Sequence, residues 1–276
     1  MCVSFTPPYS PQGISINEAI MLSKNELKKL KSFARKKQRD EAGVFIAEGP
    51  KLVAELMPAF QCRTLVGTAE YFRSAPPAPA SAFCLTATPD ELRQISLLTT
   101  PHQVWALFER PADAPLSAFS PKEDLILALD AVQDPGNLGT ILRIADWFGI
   151  RSVFLSEGCV DAFSPKVVQA TMGALTRVSL RRGNLAEWLS GFSDAGVNIY
   201  GTFLDGADLY QNQNLQSCGI IVMGNEGNGI SPEVARCVNS RLLIPPFPSD
   251  AATVESLNVA VATAVVCAEF RRRQSL

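Results

Sequence analysis

Five short apolar runs, separated by helical patterns, constrain the fold of the chain from residue 125 onwards. The runs are almost continuously apolar and do not alternate with polar residues, as expected for strands buried on both faces of a sheet. Because helical patterns at 138–148 and 185–195 lie between them, the sequence predicts a parallel α/β sheet covered by helices on both sides. The predicted strands are 125–129, 152–155, 198–203, 220–223 and 242–244.

The chain before residue 122 predicts a smaller α/β domain. Its predicted strands are 44–47, 64–67, 82–86 and 104–108, with helices at 50–57 and 90–96. Pro-rich segments between 111 and 121 are typical of a linker. The predicted organisation is a flexible tail at 1–20, a first domain at 21–110, a linker at 111–121 and a second domain at 122–276. A length of 276 residues with 47% apolar content is sufficient for two cores.

Composition argues against several classes of protein. There is one histidine, His102, and the seven cysteines include no Cys-x-x-Cys pair, so we expect neither a metal site nor a Ser-His-Asp triad. Unpaired cysteines favour the cytoplasm. No apolar run approaches the roughly 20 residues of a membrane-spanning helix, and residues 1–20 do not resemble a secretory signal.

Positive charge is concentrated in one segment of the first domain. The formal net charge is −2, which by itself does not indicate a nucleic-acid-binding protein. Between Lys24 and Arg39, however, eight basic residues accompany a single acid, Glu26. Apolar residues at helical spacing between Leu22 and Phe33 predict an amphipathic helix with a cationic face. This face is either a surface for phosphate groups or simply the solvated side of a helix.

Two loops that follow predicted strands carry polar residues suited to chemistry. After 125–129, Pro135 and Gly136 form a turn, Asn137 is the predicted N-cap, and Arg143 falls within the first two helical turns, within reach of an anion. After 220–223, the glycine-rich segment 224–229 holds Glu226 and does not match the phosphate-binding P-loop pattern. Each loop alone is equally consistent with an ordinary strand-to-helix connection.

A third segment, 244–260, joins the last predicted strand to an apolar helix at 257–270. Ser256 is a predicted N-cap and Asn258 lies in the first turn. Three arginines, 271–273, end this helix, where positive charge favours the helix dipole. Taken singly, each of these features is compatible with a purely structural role.

Together and in this order, the three segments resemble the motifs of the SPOUT superfamily, in its SpoU branch, also called the TrmH family. The matching segments are 134–143 (Asp-Pro-Gly-Asn-Leu-Gly-Thr-Ile-Leu-Arg), 224–231 (Gly-Asn-Glu-Gly-Asn-Gly-Ile-Ser) and 255–260 (Glu-Ser-Leu-Asn-Val-Ala). The resemblance covers 125–273. Residues 22–110 are more loosely similar to the L30e-like substrate-binding domain that often precedes this catalytic domain.

The resemblance implies an RNA 2′-O-ribose methyltransferase that uses S-adenosylmethionine and no metal. It implies a C-terminal trefoil knot, which few folds contain, and a homodimer with the last helix at the interface. Positions carried over for the methyl donor are Thr202, Gly224, Ile244 and Leu257. Polar active-site positions carried over are Asn137, Arg143, Glu226, Ser256 and Asn258. A guanidinium is a poor base at neutral pH, so we expect Arg143 to bind the adjacent phosphate and stabilise a developing alkoxide, oriented by Glu226.

One departure from the family pattern lies before the third motif. Residues 246–253 are longer than the usual loop and contain no glycine. A catalytically silent RNA-binding protein on the same fold is therefore an alternative, as is an unrelated nucleotide-binding α/β enzyme. Among RNA substrates, the accessory domain favours rRNA, with a tRNA 2′-O-methyltransferase as the alternative.

Overall fold

The computed structural model describes residues 20–192, 195–248 and 256–274. The chain divides into two compact units between Arg110 and Pro111. The predicted tail at 1–20 lies outside the described residues except for Ile20, and residues 249–253 of the predicted long loop also lie outside them.

The first unit is built on a mixed five-stranded sheet of order β1-β4-β3-β5-β2. The strands are β1 (Ile20–Met21), β2 (Val44–Glu48), β3 (Cys62–Gly67), β4 (Phe83–Thr86) and β5 (Val104–Glu109). β1, β4 and β3 run parallel, whereas β5 pairs antiparallel with both β3 and β2. The helices are α1 (Lys24–Ser32), α2 (Lys36–Ala42), α3 (Pro50–Leu56), α4 (Ala69–Ser74) and α5 (Pro89–Ile95).

The amphipathic helix predicted between Leu22 and Phe33 forms as α1. Ser23 and Glu26 make a capping box that fixes its first turn. Leu30 and Phe33 are buried in the core of this unit. The basic segment does not continue as one helix, because the chain turns after Phe33 and α2 starts at Lys36.

The second unit contains a six-stranded sheet of order β11-β9-β10-β6-β7-β8. The strands are β6 (Leu125–Leu129), β7 (Ser152–Ser156), β8 (Ser179–Gly183), β9 (Ile199–Asp208), β10 (Gly219–Met223) and β11 (Ser240–Leu243). Every neighbouring pair is parallel. The predicted α/β class, a parallel-sheet unit preceded by a smaller α/β unit, is confirmed.

Helices follow most strands of the second unit, and the last of them comes after the final strand, β11. They are α6 (Pro135–Trp147), α7 (Pro165–Thr171), α8 (Leu185–Ser190), α9 (Pro232–Ala235) and α10 (Val259–Gln274). α6 packs closely on α7, since a Cβ atom added at Gly139 would lie 2.3 Å from Ala170 Cβ. α6 also packs against α10.

Three elements of the second unit differ from the prediction. β8 is an additional edge strand, and its polar residues Arg181 and Arg182 conceal it from an apolar-run criterion. β11 ends at Leu243, so Ile244 follows the strand. β9 runs on to Asp208 because, past a register shift at Arg241/Leu242, its second half pairs with β11 alone.

The segment predicted as a linker, 111–121, packs against the second unit. Arg181 donates a hydrogen bond to the Ala114 carbonyl at 2.9 Å, and Ala114 N–H donates to Leu180. Phe119 is buried beside Phe154 and Trp188. The Pro-rich composition of 111–121 therefore marks the beginning of the second unit, and the segment packs as part of that unit.

None of the helices within the described ranges is long and apolar enough to cross a membrane.

Candidate active site

The strand order brings the carboxyl ends of β6 and β10 together at the centre of the parallel sheet. From β6 the chain proceeds outward through β7 and β8, whereas β9, β10 and β11 lie on the other side of β6. Ligands of open parallel sheets bind where the connections diverge in this way. The segments after β6 and β10 are therefore adjacent at the expected ligand-binding edge.

The N-terminus of α6 is fixed by Asp134. Its carboxylate accepts a hydrogen bond from Asn137 N–H at 2.8 Å, and Pro135 occupies the first helical position. The prediction that Asn137 is the N-cap is wrong, because proline has a helical φ and needs no hydrogen-bond acceptor for its nitrogen, so the helix starts three residues earlier, at Pro135. The Asn137 side chain is consequently available for other contacts.

The side chains of Asn137, Glu226 and Asn258 form a continuous hydrogen-bonded chain. Asn137 Nδ2 donates to Glu226 Oε1 at 2.7 Å, and Asn258 Nδ2 donates to Asn137 Oδ1 at 2.9 Å. One residue comes from each of the three sequence motifs, separated by 89 and 121 residues from Asn137. We call this group the amide–carboxylate cluster.

Asn258 also caps α10. Its Oδ1 accepts from Ala260 N–H at 3.0 Å and from Val261 N–H at 3.3 Å. α10 begins at Val259, so Asn258, and not Ser256, is the N-cap. Ser256 is exposed, and the structure gives it no contact with the cluster among the described residues. Its predicted active-site role stays a prediction.

Glu226 lies at the tip of a tight turn shaped by Asn225. Asn225 Oδ1 accepts from Gly227 N–H at 2.9 Å and from Asn228 N–H at 3.0 Å, while Asn225 and Gly229 exchange backbone hydrogen bonds. The turn closes so tightly that a Cβ atom at Gly224 would lie 2.3 Å from the Gly229 carbonyl carbon. Gly229 has the left-handed backbone that the sequence predicted for this loop, with φ of 67°, and Gly224 has no room for a side chain.

Arg143 lies on a different face of α6 from Asn137. It is exposed, as are Thr140 and Trp147 on the same face, and the exposed fraction of Trp147 is 85%. Arg143 makes no hydrogen bond or ion pair with any residue of the described ranges. The predicted interaction between Arg143 and Glu226 is thus not made within one chain.

Of the four positions predicted for the methyl donor, one lies within β9, two directly follow β10 and β11, and one shortly precedes α10. Thr202 lies in β9, where β9 and β10 part after their last pair, Gly201 and Val222. Gly224 follows β10 and is buried, Ile244 follows β11 and is half-buried, and Leu257 is 48% exposed. Where β9 and β10 part, backbone groups stop pairing with each other and become able to bind a ligand.

The first unit offers a cationic surface and, separately, a groove whose lining is mostly apolar. On α1 and the turn after it, Lys24, Lys28 and Arg35 are exposed and have no ion-pair partner in the part of the chain that the structure describes. A groove of about 670 Å³ lies where β1, β3 and β4 end, and His102 and Gln103 line it. Gln103 Nε2 donates to Glu70 at 3.4 Å.

Two of the remaining basic residues act structurally. Arg39 is buried and donates to the carbonyl oxygens of Phe33 and Ala34, so it closes the turn between α1 and α2. Lys36 forms an ion pair with Asp40 on the same helix. The cationic surface is therefore smaller than the eight basic residues of the sequence indicate.

Family models match both units. A model described as "SpoU rRNA Methylase family" matches residues 124–268, and one described as "MRM3-like substrate binding domain" matches residues 24–106. The chain belongs to the SpoU rRNA methylase family. The resemblance of its three motifs to this branch of the SPOUT superfamily is confirmed. The smaller unit matches a domain model whose description is that of a substrate-binding domain.

Among relatives of known name, the chain is 30% identical over 250 residues to the 23S rRNA (guanosine(2553)-2′-O)-methyltransferase RlmP of Bacillus subtilis, covering 90% of this chain and 97% of the relative. It is 25% identical over 295 residues to the human mitochondrial rRNA methyltransferase 3, covering 85% and 69%. Both relatives therefore match across the two units and not in the SpoU domain alone.

Two solved structures share the architecture. A putative RNA methyltransferase of the TrmH family from Porphyromonas gingivalis is 48% identical, with a TM-score of 0.80, covering 92% of this chain and 99% of that one. An AdoMet-bound rRNA methyltransferase from Sinorhizobium meliloti is 31% identical, with a TM-score of 0.78 and coverage of 92% and 97%. The SpoU fold of this chain thus has a relative solved with the methyl donor in place.

No group of three or more His, Cys, Asp or Glu residues suited to a metal ion occurs in the described part of this SpoU chain. The six cysteines in the same ranges are all free thiols. Burial raises the pKa of the Cys267 thiol to about 12, which makes it unreactive at neutral pH.

Proposed function

We propose that this protein transfers the methyl group of S-adenosylmethionine to a ribose 2′-hydroxyl of rRNA. The observation that carries the proposal is the amide–carboxylate cluster, in which Asn137, Glu226 and Asn258 from three distant motifs are hydrogen-bonded at the ligand-binding edge of the sheet. Relatives that match both units are named rRNA methyltransferases, which favours rRNA over tRNA. A cytoplasmic location is part of this proposal, because free cysteine thiols are typical of a reducing compartment.

Alignment of the two reactants contributes more to this reaction than general acid–base catalysis does. A new bond forms between the ribose O2′ and the methyl carbon while the bond from that carbon to sulfur breaks, leaving S-adenosylhomocysteine; the hydroxyl proton passes to solvent. Holding the two reacting groups in line lowers the activation free energy of such a reaction, by on the order of 7–11 kcal/mol for ideal alignment. Glu226 keeps Asn137 in one orientation, and the exposed carboxylate can accept a hydrogen bond from the 2′-hydroxyl.

The methyl donor fits the region where β9 and β10 part. Thr202 and Gly224 would offer backbone groups there, and Ile244 and Leu257 would supply apolar contacts to the adenosine. Residues 244–258 would complete the trefoil knot of the family around this region. Because the glycine-free segment 246–253 lies in the sequence between Ile244 and Leu257, we expect it to affect affinity for the donor more than the methyl transfer step.

A second copy of the chain is the partner that we propose for the exposed face of α6. Trp147 is 85% exposed, and Val261 of α10, which packs on α6, is 51% exposed. Tryptophan is enriched at protein–protein interfaces, so a Trp147 this exposed favours a contact on this face. In a homodimer through α6 and α10, Arg143 on the same face would contact the RNA phosphate beside the partner's active site instead of its own Glu226.

The test is transfer of labelled methyl from S-adenosylmethionine to rRNA and tRNA that lack native modification, assayed separately. Incorporation into rRNA, with donor binding seen by calorimetry, is the expected result. Incorporation into tRNA alone would overturn the substrate class. Tight RNA binding with neither donor binding nor transfer would favour the catalytically silent alternative, which the altered loop at 246–253 makes a real competitor.

A dimer measured by sedimentation at micromolar concentration tests the interface. Trp147→Glu would place a charge in the proposed contact and should yield monomers with a reduced rate of methyl transfer. Leu116→Glu, at another apolar residue that is 51% exposed, is the matched control and should remain dimeric. A wild-type monomer with full activity would contradict the proposed dimer.

A further inference from the structure

Ala131, directly after β6 and the buried Asp130, has a left-handed backbone with φ of 55°. An alanine is strained in this region because its Cβ atom approaches the following carbonyl group, whereas glycine adopts it freely. Strained residues persist only where their surroundings hold them, and they concentrate at functional sites. Ala131 lies six residues before Asn137 of the amide–carboxylate cluster.

Two side chains from the neighbouring strands hold Ala131 from opposite sides. Its N–H donates to Ser156 Oγ at 2.8 Å, at the end of β7, and its carbonyl accepts from Asn225 Nδ2 at 2.8 Å, after β10. Ser156 is buried and Asn225 half-buried. Both polar groups of the strained peptide segment are thereby satisfied, each by a segment next to β6 in the sheet.

Asn225 connects this strained residue to the turn that carries Glu226. The same side-chain amide accepts from Gly227 and Asn228 through Oδ1 and donates to Ala131 through Nδ2. One residue thus sets both the turn that holds Glu226 and the backbone that leads to Asn137. The sequence alone predicts no role for Asn225, because the charge of this loop lies on the adjacent Glu226.

The segment after β7 is itself braced. Arg182 donates to the carbonyl oxygens of Cys159 at 2.8 Å and Val160 at 2.7 Å, and Val160 N–H donates to Val132 at 2.9 Å. A Cβ atom at Gly158 would lie 3.2 Å from Ala131 Cβ. Ser156 therefore presents its hydroxyl from a rigid support, as a positioning residue requires.

We infer that Ser156 and Asn225 are positioning residues for methyl transfer, which hold Ala131 in its left-handed conformation and thereby fix Asn137 against Glu226. Neither residue touches the reacting atoms. This inference rests on the proposed function. The strain at Ala131 makes the claim testable, since a glycine at this position removes the need for the two hydrogen bonds.

The experiment compares Ser156→Ala and Asn225→Asp, each made alone and together with Ala131→Gly. Asn225→Asp keeps the oxygen that accepts from Gly227 and Asn228 and loses the donor to Ala131. We expect each single variant to lower kcat about tenfold with the KM for S-adenosylmethionine changed less than about twofold, a loss typical of displaced catalytic groups. With Ala131→Gly present, each loss should shrink to about threefold or less.

Ser152→Ala is the matched control. Ser152 begins the same strand, and its hydroxyl donates to the Ala118 carbonyl at 2.8 Å, far along β7 from Ser156. Its effect on kcat should be small and the same with and without Ala131→Gly. A purely structural role for Ser156 would instead lower the melting temperature and leave the kcat of the folded enzyme unchanged.

Unchanged kcat in both single variants, or equal losses with and without Ala131→Gly, would overturn the inference. If the wild-type protein transfers no methyl group, the proposed function fails. Thermal unfolding then tests separately whether Ser156 holds Ala131 in its left-handed conformation. Ser156→Ala should then lower the melting temperature less when Ala131→Gly is present. Equal decreases would show that Ser156 does not hold Ala131.

Discussion

The side-chain amide of Asn137 donates a 2.7 Å hydrogen bond to Glu226, and the carbonyl of the same amide accepts from Asn258. Both ends of one amide are thus occupied, so its orientation is determined by residues from two other motifs. A reacting hydroxyl would meet a site whose polar groups are already aligned. Preorganisation of this kind is how an enzyme reduces the cost of aligning two reactants.

The two roles of Asn258 can be separated by substitution. Asn258→Ala removes both the cap of α10 and the hydrogen bond to Asn137, and should cost about 1 kcal/mol of unfolding free energy as well as activity. Asn258→Asp keeps an oxygen for Ala260 and Val261 but loses the donor to Asn137. We expect it to unfold at the wild-type urea concentration with activity reduced at least tenfold. Wild-type activity in Asn258→Asp would contradict a role for the amide donor.

The close approach of α6 and α7 makes Gly139 sensitive to a single methyl group. Gly139→Ala places two Cβ atoms 2.3 Å apart, and should destabilise the protein by about 2 kcal/mol despite the better helix propensity of alanine. Adding Ala170→Gly removes the overlapping atom. In urea unfolding, the double variant should be more stable than the sum of the single effects predicts, and additive effects would contradict direct contact at this crossing.

Glu269 near the end of α10 should give a defined pH dependence. Hydrogen bonds from Arg272 and Arg273 lower the pKa of this buried carboxylate from 4.5 to about 2, although burial acts in the opposite direction. Since the pKa is lower in the folded state, the stabilisation is complete above about pH 4.5 and is lost as the pH falls towards 2.

Glu269→Gln tests this dependence. It should reduce the unfolding free energy by about 2 kcal/mol at neutral pH, the order of a hydrogen bond to a charged group. The difference from wild type should diminish below pH 4.5. A difference that stays constant down to pH 3 would contradict the assignment to this ion-pair group.

The exposed cations of α1 should contribute to RNA affinity without sequence preference. Lys24→Ala combined with Lys28→Ala should reduce the salt dependence of rRNA binding by roughly 0.7 to 0.9 per lysine on a double-logarithmic plot. Lys36→Ala combined with Lys37→Ala is the control, because these lysines form ion pairs with Asp40 and Glu41. Equal slopes for the two double variants would argue against a phosphate contact at α1.

Buried strands and motif order could be predicted from the sequence, and contacts between motifs could not. β6 has the predicted bounds because an apolar run buried on both faces leaves little choice of where a strand lies. β8 was not predicted, because it contains Arg182, whose guanidinium donates hydrogen bonds to backbone carbonyl groups. Only the folded chain shows these contacts. The motifs indicated Asn137, Glu226 and Asn258 as a set, but their hydrogen-bond order depends on side-chain geometry.

Arg143 illustrates the same limit. Its position in the first motif indicated an active-site role, yet the helical repeat turns it to the exposed face of α6, away from Asn137. A pattern of residue types records which side chains occur together in the sequence and does not record which of them meet in the folded chain. The strain at Ala131 is equally invisible in sequence, since alanine there carries no turn-forming pattern.

Ribose methylation of rRNA by the amide–carboxylate cluster can be detected by mass spectrometry of nucleosides from unmodified rRNA incubated with S-adenosylmethionine and the protein. The wild-type protein and Glu233→Gln, a control at an exposed carboxylate, should both yield one 2′-O-methylated nucleoside. Glu226→Gln, which keeps its shape and can still accept from Asn137, should yield at least tenfold less. A methyl group on a base, or equal yields from Glu226→Gln and wild type, would contradict the account.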